Sequence, residues 1–544
     1  MRGDPLSRWS NYLGRYPTQG TRHTPEDALG VLRCVEDAAR DGHKIRAVGG
    51  RHSSSDVAKP ADGEHWIDLA NLRSTDAALE WPHYRSGLDR ARYVRLGAGT
   101  TIAEANALLA SERPPRALYN MGNYDGQTLA GAFSTGTHGS GLRHAPICDR
   151  VAAIEVVTDE HVDGQRWQRL LRIEPEDGVT DSHRFEAARG DYDGPDRSIR
   201  RMELEQDDET FRAALLNLGC FGVIVAVTFE VRGGFWLEEV ETLETWKTIS
   251  IPKMAEASPE FLQLTLVPHR VRKKDDHDYD QHDDPDERYD REVVYLRTTR
   301  WEIPARDHPP ERQRFLEDLA RALGATDTGI LENIGLKNPP AAVRRVLGAF
   351  AKRARSEPDG EGNRFRSRSD LVHINSLGPH VKATSADIWV PLDKADDAVD
   401  RIVALAEART HEPGADWAAE GWYHTSPVGI RVVGASRALI APSFDGPRVS
   451  LELPLLVDVS ESDRTRRKHD RFRARMLETL EKVLCADDIG GRPHWGQRNL
   501  MTDARAAAMY GDRWTRWKEV YRRFNRYGTF DNRLTHRMGL SGAA

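Results

Sequence analysis

The sequence predicts an α+β protein with at least two domains. Its 544 residues exceed the length that one hydrophobic core usually organises, so domains of about 100 to 250 residues are expected. Stretches with helical spacing of apolar residues are mixed with short β-branched runs. No Gly-x-Gly-x-x-Gly fingerprint stands at a strand-to-helix turn, and a Rossmann-type domain is therefore not expected.

Helices and strands are interspersed in the N-terminal part of the chain. The spacing of apolar residues predicts a helix over residues 25–42, which begins at a proline and ends at a glycine. A strand over residues 45–48 then runs into two glycines, and the turn that follows would present Arg51, His52 and Ser53 to a ligand. The same patterns predict strands over residues 94–96, 151–158 and 222–231 and helices over residues 102–109 and 209–219.

The chain beyond residue 235 is typical of an antiparallel sheet covered by helices. Amphipathic spacing predicts helices over residues 395–408 and 463–484. Short apolar and alternating runs predict strands over residues 260–267, 387–391, 429–433, 438–441 and 449–453.

Two charged segments interrupt this region. Residues 273–292 are crowded with Asp and His, and residues 344–370 are basic. Metal binding by the acidic segment is one interpretation. Charged tracts without apolar periodicity rarely fold into rigid ligand cages, so a solvated insertion is favoured and no metal site is expected.

Composition and charge exclude several classes of function. Lys plus Arg number 78 and Asp plus Glu 85, and the net charge of −7 offers no general attraction to nucleic acid or anionic membranes. No run approaches the ~18 apolar residues of a membrane span, and the N-terminus lacks the apolar core of a signal peptide. The four cysteines are far apart without a Cys-x-x-Cys pair, so reduced thiols in a cytoplasmic protein are expected. The oligomeric state stays open.

The glycine segment, residues 118–141, is the most informative stretch. It holds six glycines, interspersed with Ser, Thr and His. Small residues let backbone N–H groups approach an anion or a flat ring closely, as in a loop that cradles a phosphate-bearing cofactor. A turn-rich surface loop is the alternative. Two further glycine-bearing stretches, residues 47–56 and 94–104, favour the cradle.

These three stretches together resemble the flavin-binding domain of the vanillyl-alcohol-oxidase-type (PCMH-type) FAD-linked oxidases, and most closely the sugar-1,4-lactone and alditol oxidase branch. The resemblance implies a two-domain FAD-binding fold. An FAD-binding domain would span residues 1–235, and a cap domain with an antiparallel sheet residues 236–485. Residues 486–544 would return to the flavin.

The resemblance also assigns cofactor contacts. His52 resembles the histidine that bonds covalently to the flavin 8α carbon; the alternatives are a histidine that only touches flavin or one hydrogen-bonded in its turn. A second linkage is not expected, because residues 123–125 read Asn-Tyr-Asp where a Cys would stand. The other implied contacts are Ala47, Val48, Gly49, Gly50, Arg51, Ser53, Thr128, Ser134, Gly136, Thr137, His138, Gly139, Ser140, Ile224 and His494.

Two of these contacts have a simple structural alternative. His138 is either a flavin contact or a structural histidine with its hydrogen bonds satisfied. Thr128 matches the Ser or Thr whose hydroxyl lies near the reacting flavin, and the alternative is a hydroxyl at the start of a strand.

The substrate side departs from the branch at two positions. Residues 493–497 read Pro-His-Trp-Gly-Gln, with Gln497 where the branch has Lys, and residues 428–431 read Val-Gly-Ile-Arg, with Gly429 where it has Glu. Arg431 is retained. Losing an acid and an amine together changes the charge of the site, which favours a substrate other than a plain alditol. Glu452, on a nearby predicted strand, could restore a carboxylate; the alternative is an exposed strand Glu.

The implied reaction is FAD-dependent oxidation of a CH–OH group on a sugar-like, polyol or lactone molecule. Hydride would pass to flavin N5, with O₂ as the expected acceptor and Arg431, Gln497 and Glu452 as the candidate catalytic residues. His424 is a weaker candidate base. The alternatives are a dehydrogenase or tailoring oxidase of a specialised metabolite, and a flavin-binding protein with little turnover.

Overall fold

The computed structural model describes residues 3–74, 79–257, 259–269, 271–272, 291–305, 363–370, 382–406, 424, 426–457 and 463–541. Most of the acidic segment 273–292, and residues 344–362 of the basic segment, lie outside the described residues. Their predicted roles therefore stay predictions.

The N-terminal part of the chain builds two main sheets with helices packed on them. The first has strand order β1-β2-β4-β3 and the second β5-β10-β7-β8-β9. The strands are Asp4–Trp9 (β1), Thr18–His23 (β2), Ile45–Val48 (β3), His65–Asp68 (β4), Tyr93–Gly97 (β5), Arg116–Ala117 (β6), Val151–Val162 (β7), Gln165–Glu174 (β8), Met202–Gln206 (β9), Val223–Glu230 (β10) and Arg232–Gly233 (β11). The helices are Ala28–Asp41 (α1), Ile102–Ser111 (α2), Leu129–Thr135 (α3), Ser182–Ala188 (α4) and Asp208–Ala214 (α5).

The following part of the chain forms one eight-stranded antiparallel sheet, ordered β17-β12-β16-β13-β19-β20-β18-β21. Its strands and the neighbouring short pair are Trp236–Thr245 (β12), Phe261–Leu266 (β13), Val271–Arg272 (β14), Arg291–Glu292 (β15), Val294–Ile303 (β16), Asn363–Arg368 (β17), Ala383–Pro391 (β18), Val428–Val433 (β19), Arg448–Leu456 (β20) and Arg492–Pro493 (β21). The helices are Ile251–Glu256 (α6), Ala395–Ala406 (α7), Asp463–Leu484 (α8), Asp503–Tyr510 (α9), Asp512–Phe524 (α10) and Arg533–Arg537 (α11).

The large sheet has one apolar and one polar face. Leu264, Ile430 and Leu451 share a hydrophobic core with residues of α7 and α8 such as Ile402 and Leu477. Because successive side chains of a strand point to opposite faces, the alternate positions carry the polar residues. These include Asp387, Arg431, Ser450 and Glu452.

The C-terminal helices pack back onto the N-terminal part of the chain. Trp495, Trp514 and Trp517 are fully buried and belong to the same core as residues of α1, β5 and β7. The indole Nε1–H of Trp517 donates to the carbonyl of Leu216 at 2.9 Å. We accordingly keep residues 1–235, 236–485 and 486–544 as the proposed domain limits.

Most predicted elements are present, and one is wrong. The strand over residues 45–48 is confirmed, as are the helices over 25–42, 395–408 and 463–484 to within a few residues at their ends. Residues 438–441 form a turn, not a strand. Leu439 and Ile440 are apolar because they fill the main core, and the carbonyl of Ile440 accepts a hydrogen bond from Trp495 instead of a strand partner.

Two further predictions need shorter bounds. The helix expected over residues 209–219 ends at Ala214, because Leu218 and Gly219 adopt left-handed backbone angles that no α-helix continues through. The glycine segment was predicted to be a loop because it is rich in glycine and hydroxyl residues. Part of it instead forms helix α3.

A buried charge network joins the strands that support the glycine segment. Glu155 on β7 accepts from Arg95 on β5 and from Arg172 on β8, each at 2.6 Å, and these three side chains are at most 2% exposed. Arg172 also donates to Glu174 at 2.7 Å. Arg95 also pairs with Asp196 at 2.7 Å, so each guanidinium group has a second carboxylate besides Glu155.

The substitution Glu155→Gln is expected to lower the free energy of unfolding by about 1.5 to 3 kcal/mol, because Arg95 and Arg172 lose their shared carboxylate and keep only Asp196 and Glu174. Urea unfolding followed by circular dichroism measures it. Glu203→Gln is the matched control, since Glu203 pairs with Arg169 from a side chain that is 42% exposed. Equal stability of the two variants would contradict the role of the network.

Candidate active site

A cleft lies where four segments of the chain meet. They are the His52 turn (residues 49–55), the glycine segment, the stretch from Leu218 to Ile224 and the C-terminal strip (residues 494–497). Of the residues proposed from sequence, the cleft is lined by Ala47, Gly49, Gly50, Arg51, His52, Ser53, Thr128, Ser134, Thr137, Ile224, His494 and Gln497.

The His52 turn and the glycine segment are in close backbone contact. A Cβ at residue 49 would stand 2.2 Å from Oγ1 of Thr128, and a Cβ at residue 50 would stand 2.8 Å from the carbonyl oxygen of Gly126. Side chains larger than hydrogen would push the two segments apart. The two glycines after β3 thus let the turn reach the cleft.

Thr128 begins helix α3 and does not start a strand. Its Oγ1 accepts from the backbone N–H of Gly131 at 3.3 Å, which is the geometry of an N-cap. The helix ends at Gly136, whose φ of 81° lies in the left-handed region. Thr128 lines the cleft, so its hydroxyl both caps the helix and faces the cofactor side.

His52 is presented by a strained turn and lies between two aromatic rings. Arg51 has a φ of 58°, an unusual value for a residue other than glycine. The imidazole stacks on Tyr12 and on Tyr124, with ring centroids 4.6 Å and 4.2 Å away. Burial lowers the pKa of His52 to about 4, so the ring is neutral at neutral pH.

The C-terminal strip is hydrogen-bonded directly to the His52 turn. The carbonyl of Gly496 accepts from the Ser53 hydroxyl at 2.7 Å and from the backbone N–H of Ser54 at 3.0 Å. The Ser55 hydroxyl donates to the carbonyl of Trp495 at 3.0 Å. These bonds bring His52 and His494, which are distant in sequence, to one cleft.

His494 directs one ring nitrogen at the cleft region. Nδ1 accepts from the backbone N–H of Gly496 at 3.1 Å, and burial lowers the pKa of the ring to about 4. A neutral ring with Nδ1 as acceptor carries its proton on Nε2. Within the described part of the chain, this buried Nε2 has no hydrogen-bond partner.

His138 lies beside the cleft and joins the glycine segment to the large sheet. Its Nδ1 is 2.9 Å from the carbonyl oxygen of Gly139, and its Nε2 is 3.0 Å from Oδ2 of Asp387. Both neighbours carry acceptor oxygens, so the ring has a hydrogen-bond partner within the protein on each nitrogen. Of the two interpretations of His138, this geometry supports the structural one.

Asp387 was not among the residues proposed from sequence. Burial alone would raise the pKa of its carboxyl, but His138 and the Ser450 hydroxyl, which donates at 2.7 Å, hold that pKa below its usual range. Trp389 Nε1–H donates to the same carboxylate at 3.1 Å. An acid inside the apolar strand β18 was the signal in the sequence.

Four other residues proposed as cofactor contacts do not line the cleft. Val48 packs in a small separate core with Trp9 and Trp66. Gly136 ends α3, and Gly139 packs so closely on Asn120 that a Cβ would stand 2.0 Å from its Oδ1. Ser140 is buried, and its hydroxyl lacks a partner among the described residues.

Arg431 and Glu452 form an ion pair on the polar face of the large sheet. Nη2 of Arg431 is 3.1 Å from Oε2 of Glu452, and Arg431 is buried while Glu452 is partly exposed. Gly429 is the cross-strand partner of Glu452, and a Cβ at residue 429 would stand 3.4 Å from that Oε2. The Glu452 carboxylate therefore lies next to the Cβ position of residue 429.

Other cleft residues had not been proposed from sequence. Arg46, 2% exposed, donates to the carbonyls of Val57 and Leu218 at 2.5 Å and of Phe530 at 3.0 Å, and burial lowers its pKa. No carboxylate lies within ion-pair distance of it among the described residues. A cation alternating with apolar residues in β3 was the available signal. The remaining lining residues are Val57, Ala58, Leu69, Gln127, Ala130, Gly131, Thr135, Leu218, Gly219, Gly222 and Gly496.

Two family models match separate parts of the chain. Residues 23–161 match the family described as FAD binding domain, and residues 290–538 match D-arabinono-1,4-lactone oxidase. These matches support a vanillyl-alcohol-oxidase-type FAD-linked oxidase of the sugar-lactone branch. The chain is an FAD-dependent oxidoreductase with a two-domain α+β fold, as the sequence predicted.

Several characterised or assigned proteins are similar to this FAD-linked oxidase. A putative D-arabinono-1,4-lactone oxidase of Neurospora crassa is 24% identical over 527 residues, covering 93% of this chain and 81% of that protein. D-arabinono-1,4-lactone oxidase of Saccharomyces cerevisiae is 24% identical over 271 residues, 48% of this chain and 41% of the yeast enzyme. L-gulono-1,4-lactone dehydrogenase of Mycobacterium tuberculosis is 32% identical over 158 residues, 28% and 32% of the two chains.

A solved structure shows the same fold over nearly the whole chain. Cholesterol oxidase of Brevibacterium sterolicum superposes with a TM-score of 0.63 and 14% identity, covering 98% of this chain and 96% of that one. At this identity the likeness concerns the fold alone.

The cleft of this FAD-linked oxidase fits FAD. Its close glycine backbone at Gly49 and Gly50 suits a ligand with flat rings and a pyrophosphate. Arg46 places a buried positive charge in its wall, which favours an anion. In the described residues, no group of His, Cys, Asp and Glu side chains could hold a metal ion, and no helix is long and apolar enough to cross a membrane.

The substitution Gly49→Ala is expected to lower the free energy of unfolding by about 1 to 3 kcal/mol and to reduce FAD content, because the methyl group would collide with Thr128 Oγ1. Absorbance at 450 nm per protein, with a thermal melt, measures both. Adding Thr128→Ala removes the colliding atom and is expected to recover part of the loss. Additive losses in the double variant would contradict the proposed contact.

Proposed function

We propose that this enzyme oxidises a hydroxyl-bearing carbon of a sugar-like lactone or polyol and passes the electrons to O₂. The observation that carries the proposal is the Arg431–Glu452 pair on the polar face of the large sheet. That face meets the glycine segment through the Asp387–His138 pair. The names of the Neurospora, yeast and mycobacterial relatives support a sugar-lactone substrate.

In this proposal Glu452 accepts the hydroxyl proton and Arg431 holds the same oxygen. Bound FAD supplies the two-electron acceptor. Nη2 of Arg431 lies 3.1 Å from Oε2 of Glu452, so the two groups stand side by side. Nε of Arg431 is buried without a partner in the described residues and remains available for a substrate oxygen.

The pairing of β19 with β20 supports Glu452 as the substitute for the acid that Gly429 lacks. Gly429 and Glu452 are directly opposite each other, so the two side-chain positions are adjacent on one face. Glycine at residue 429 leaves the room that the Glu452 carboxylate uses. The acid would thus have moved to the neighbouring strand.

Gln497 is proposed to bind substrate by hydrogen bonding without a charge. It lines the cleft, and its buried Oε1 lacks a partner among the described residues. An amide in place of an ammonium group can donate and accept but cannot stabilise a developing negative charge as strongly. We expect Arg431 to stabilise that negative charge instead.

His52 is proposed to be the covalent flavin attachment. It lines the cleft, and a neutral ring leaves one nitrogen free as a nucleophile. The other proposed contacts are the residues given from sequence that line the cleft, with Arg46 added. Three buried and one partly buried free cysteine support a reducing, cytoplasmic location.

A dehydrogenase with another electron acceptor is the second candidate. The mycobacterial relative named L-gulono-1,4-lactone dehydrogenase favours it. Peroxide release under air, compared with anaerobic reduction of a dye, separates the two candidates. If no lactone or polyol gives peroxide or reduced dye, the protein is a flavin-binding protein with little turnover.

The substitution Glu452→Gln is expected to lower kcat with D-arabinono-1,4-lactone by about 10² to 10⁴, because the hydroxyl proton loses its acceptor. Stopped-flow flavin reduction measures it. The double variant Gly429→Glu, Glu452→Gly returns a carboxylate to the neighbouring position and is expected to regain part of the rate.

The control for this exchange is Glu302→Gln, an exposed acid of the same sheet that pairs with Arg232. It should reduce flavin at the wild-type rate. Unchanged flavin reduction in Glu452→Gln would remove Glu452 from the mechanism without affecting the assignment of the family.

Acid precipitation tests the attachment at His52. We expect yellow colour to stay in the pellet of the wild-type protein and to pass to the supernatant in His52→Ala, because only a covalent bond survives denaturation. If acid releases the flavin from the wild-type protein, the covalent bond is refuted and the protein is a non-covalent flavoenzyme.

A further inference from the structure

We propose that Tyr12 and Tyr124 form an aromatic clamp that positions the His52 imidazole for covalent attachment to FAD. The inference rests on the proposed His52 linkage and adds two positioning residues to it. Tyr12 and Tyr124 were not among the residues proposed from sequence.

The imidazole of His52 is held on both faces. Its ring is stacked on Tyr12 at 4.6 Å with an interplanar angle of 29° and on Tyr124 at 4.2 Å with an angle of 25°. Among the described residues none hydrogen-bonds to the ring nitrogens. The two stacking contacts therefore determine the plane of the imidazole and leave its edge, with both nitrogens, for the ligand.

Tyr12 is brought to this position by backbone contacts with the His52 turn. The backbone N–H of Tyr12 donates to the carbonyl of Arg51 at 3.0 Å, and Asn11 Nδ2–H donates to the carbonyl of Ser53 at 3.1 Å. These bonds bracket His52 and support the left-handed backbone of Arg51. The Tyr12 hydroxyl donates to the carbonyl of Ala383 at 2.5 Å, which ties the clamp to β18.

Tyr124 needs the neighbouring glycine to reach His52. A Cβ at residue 126 would stand 2.3 Å from the Tyr124 hydroxyl oxygen and 2.5 Å from Cζ. Gly126 therefore allows the ring to fold back over its own segment. The carbonyl of Gly126 also meets Gly50 of the His52 turn, so ring and turn are positioned by the same contact.

Attachment requires a neutral imidazole in a fixed orientation. One N–C bond forms between His52 and the 8α carbon of FAD, one 8α C–H bond breaks, and the 8α proton and the imidazole N–H proton are given up. The two electrons of the broken bond reduce the flavin, which takes up two protons, and O₂ reoxidises it with release of H₂O₂. Burial keeps the pKa of His52 at about 4, so a free nitrogen lone pair is present at neutral pH. The clamp supplies the orientation.

The rate of attachment tests the clamp. Full-length apoprotein from riboflavin-limited cells is mixed with FAD under air, samples are denatured with acid at intervals, and the flavin fluorescence of the protein band is measured. Tyr12→Leu and Tyr124→Leu are each expected to slow attachment about three- to tenfold, the range set by one aromatic pair. Gly126→Ala should also slow it, because the methyl group displaces the Tyr124 ring.

The Phe variants distinguish positioning from a structural role. Tyr12→Phe and Tyr124→Phe keep the ring and lose the hydroxyl, so wild-type attachment rates are expected. FAD affinity, from quenching of flavin fluorescence before attachment, and melting temperature should stay near wild type in all five variants.

Three results would overturn the clamp. Leu variants that attach flavin at the wild-type rate would show that the rings are not needed. Phe variants as slow as the Leu variants would assign the effect to the hydroxyl contacts. If the Leu variants lose FAD affinity by the same factor as they lose attachment rate, the slower attachment is an effect on FAD binding. Wild-type protein that releases all its flavin with acid would instead refute the His52 linkage and the clamp with it.

Discussion

The site depends on the close packing of the His52 turn against the glycine segment. Two glycines after β3 bring the turn within contact distance of Thr128 and Gly126, and larger residues there would separate the two walls of the cleft. The same contact places the strained Arg51 backbone, the stacked His52 ring and the hydrogen bonds to Gly496. Packing of this kind tolerates little added volume, which explains why small residues are concentrated here.

Electrostatics then joins the two parts of the molecule. The His138–Asp387 pair is a buried hydrogen-bonded contact between the glycine segment and the large sheet, with Ser450 and Trp389 completing the carboxylate's hydrogen bonds. A buried pair with all its partners present contributes more to a fixed geometry than to net stability. The polar face that carries Arg431 and Glu452 is therefore tied to the glycine segment.

Sequence reasoning reached the local features of the site and missed the long-range ones. The strand-to-glycine turn at His52 and the glycine segment are each contiguous in sequence, so the sequence alone predicts their role. Asp387 looked like one more strand residue, because its partner His138 lies 249 positions away. The opposition of Gly429 and Glu452 needed the strand register, and residues 438–441 show that apolar content alone does not distinguish a strand from a buried turn.

The C-terminal strip has a consequence for biosynthesis. The Ser53 hydroxyl bonds to the carbonyl of Gly496 across 443 positions, and His494 and Gln497 form part of the cleft wall. At a synthesis rate of about 5 to 20 residues per second, the nascent chain lacks this wall for as long as residues 494–497 have not been made. A chain that stops before residue 494 therefore cannot build the complete cleft.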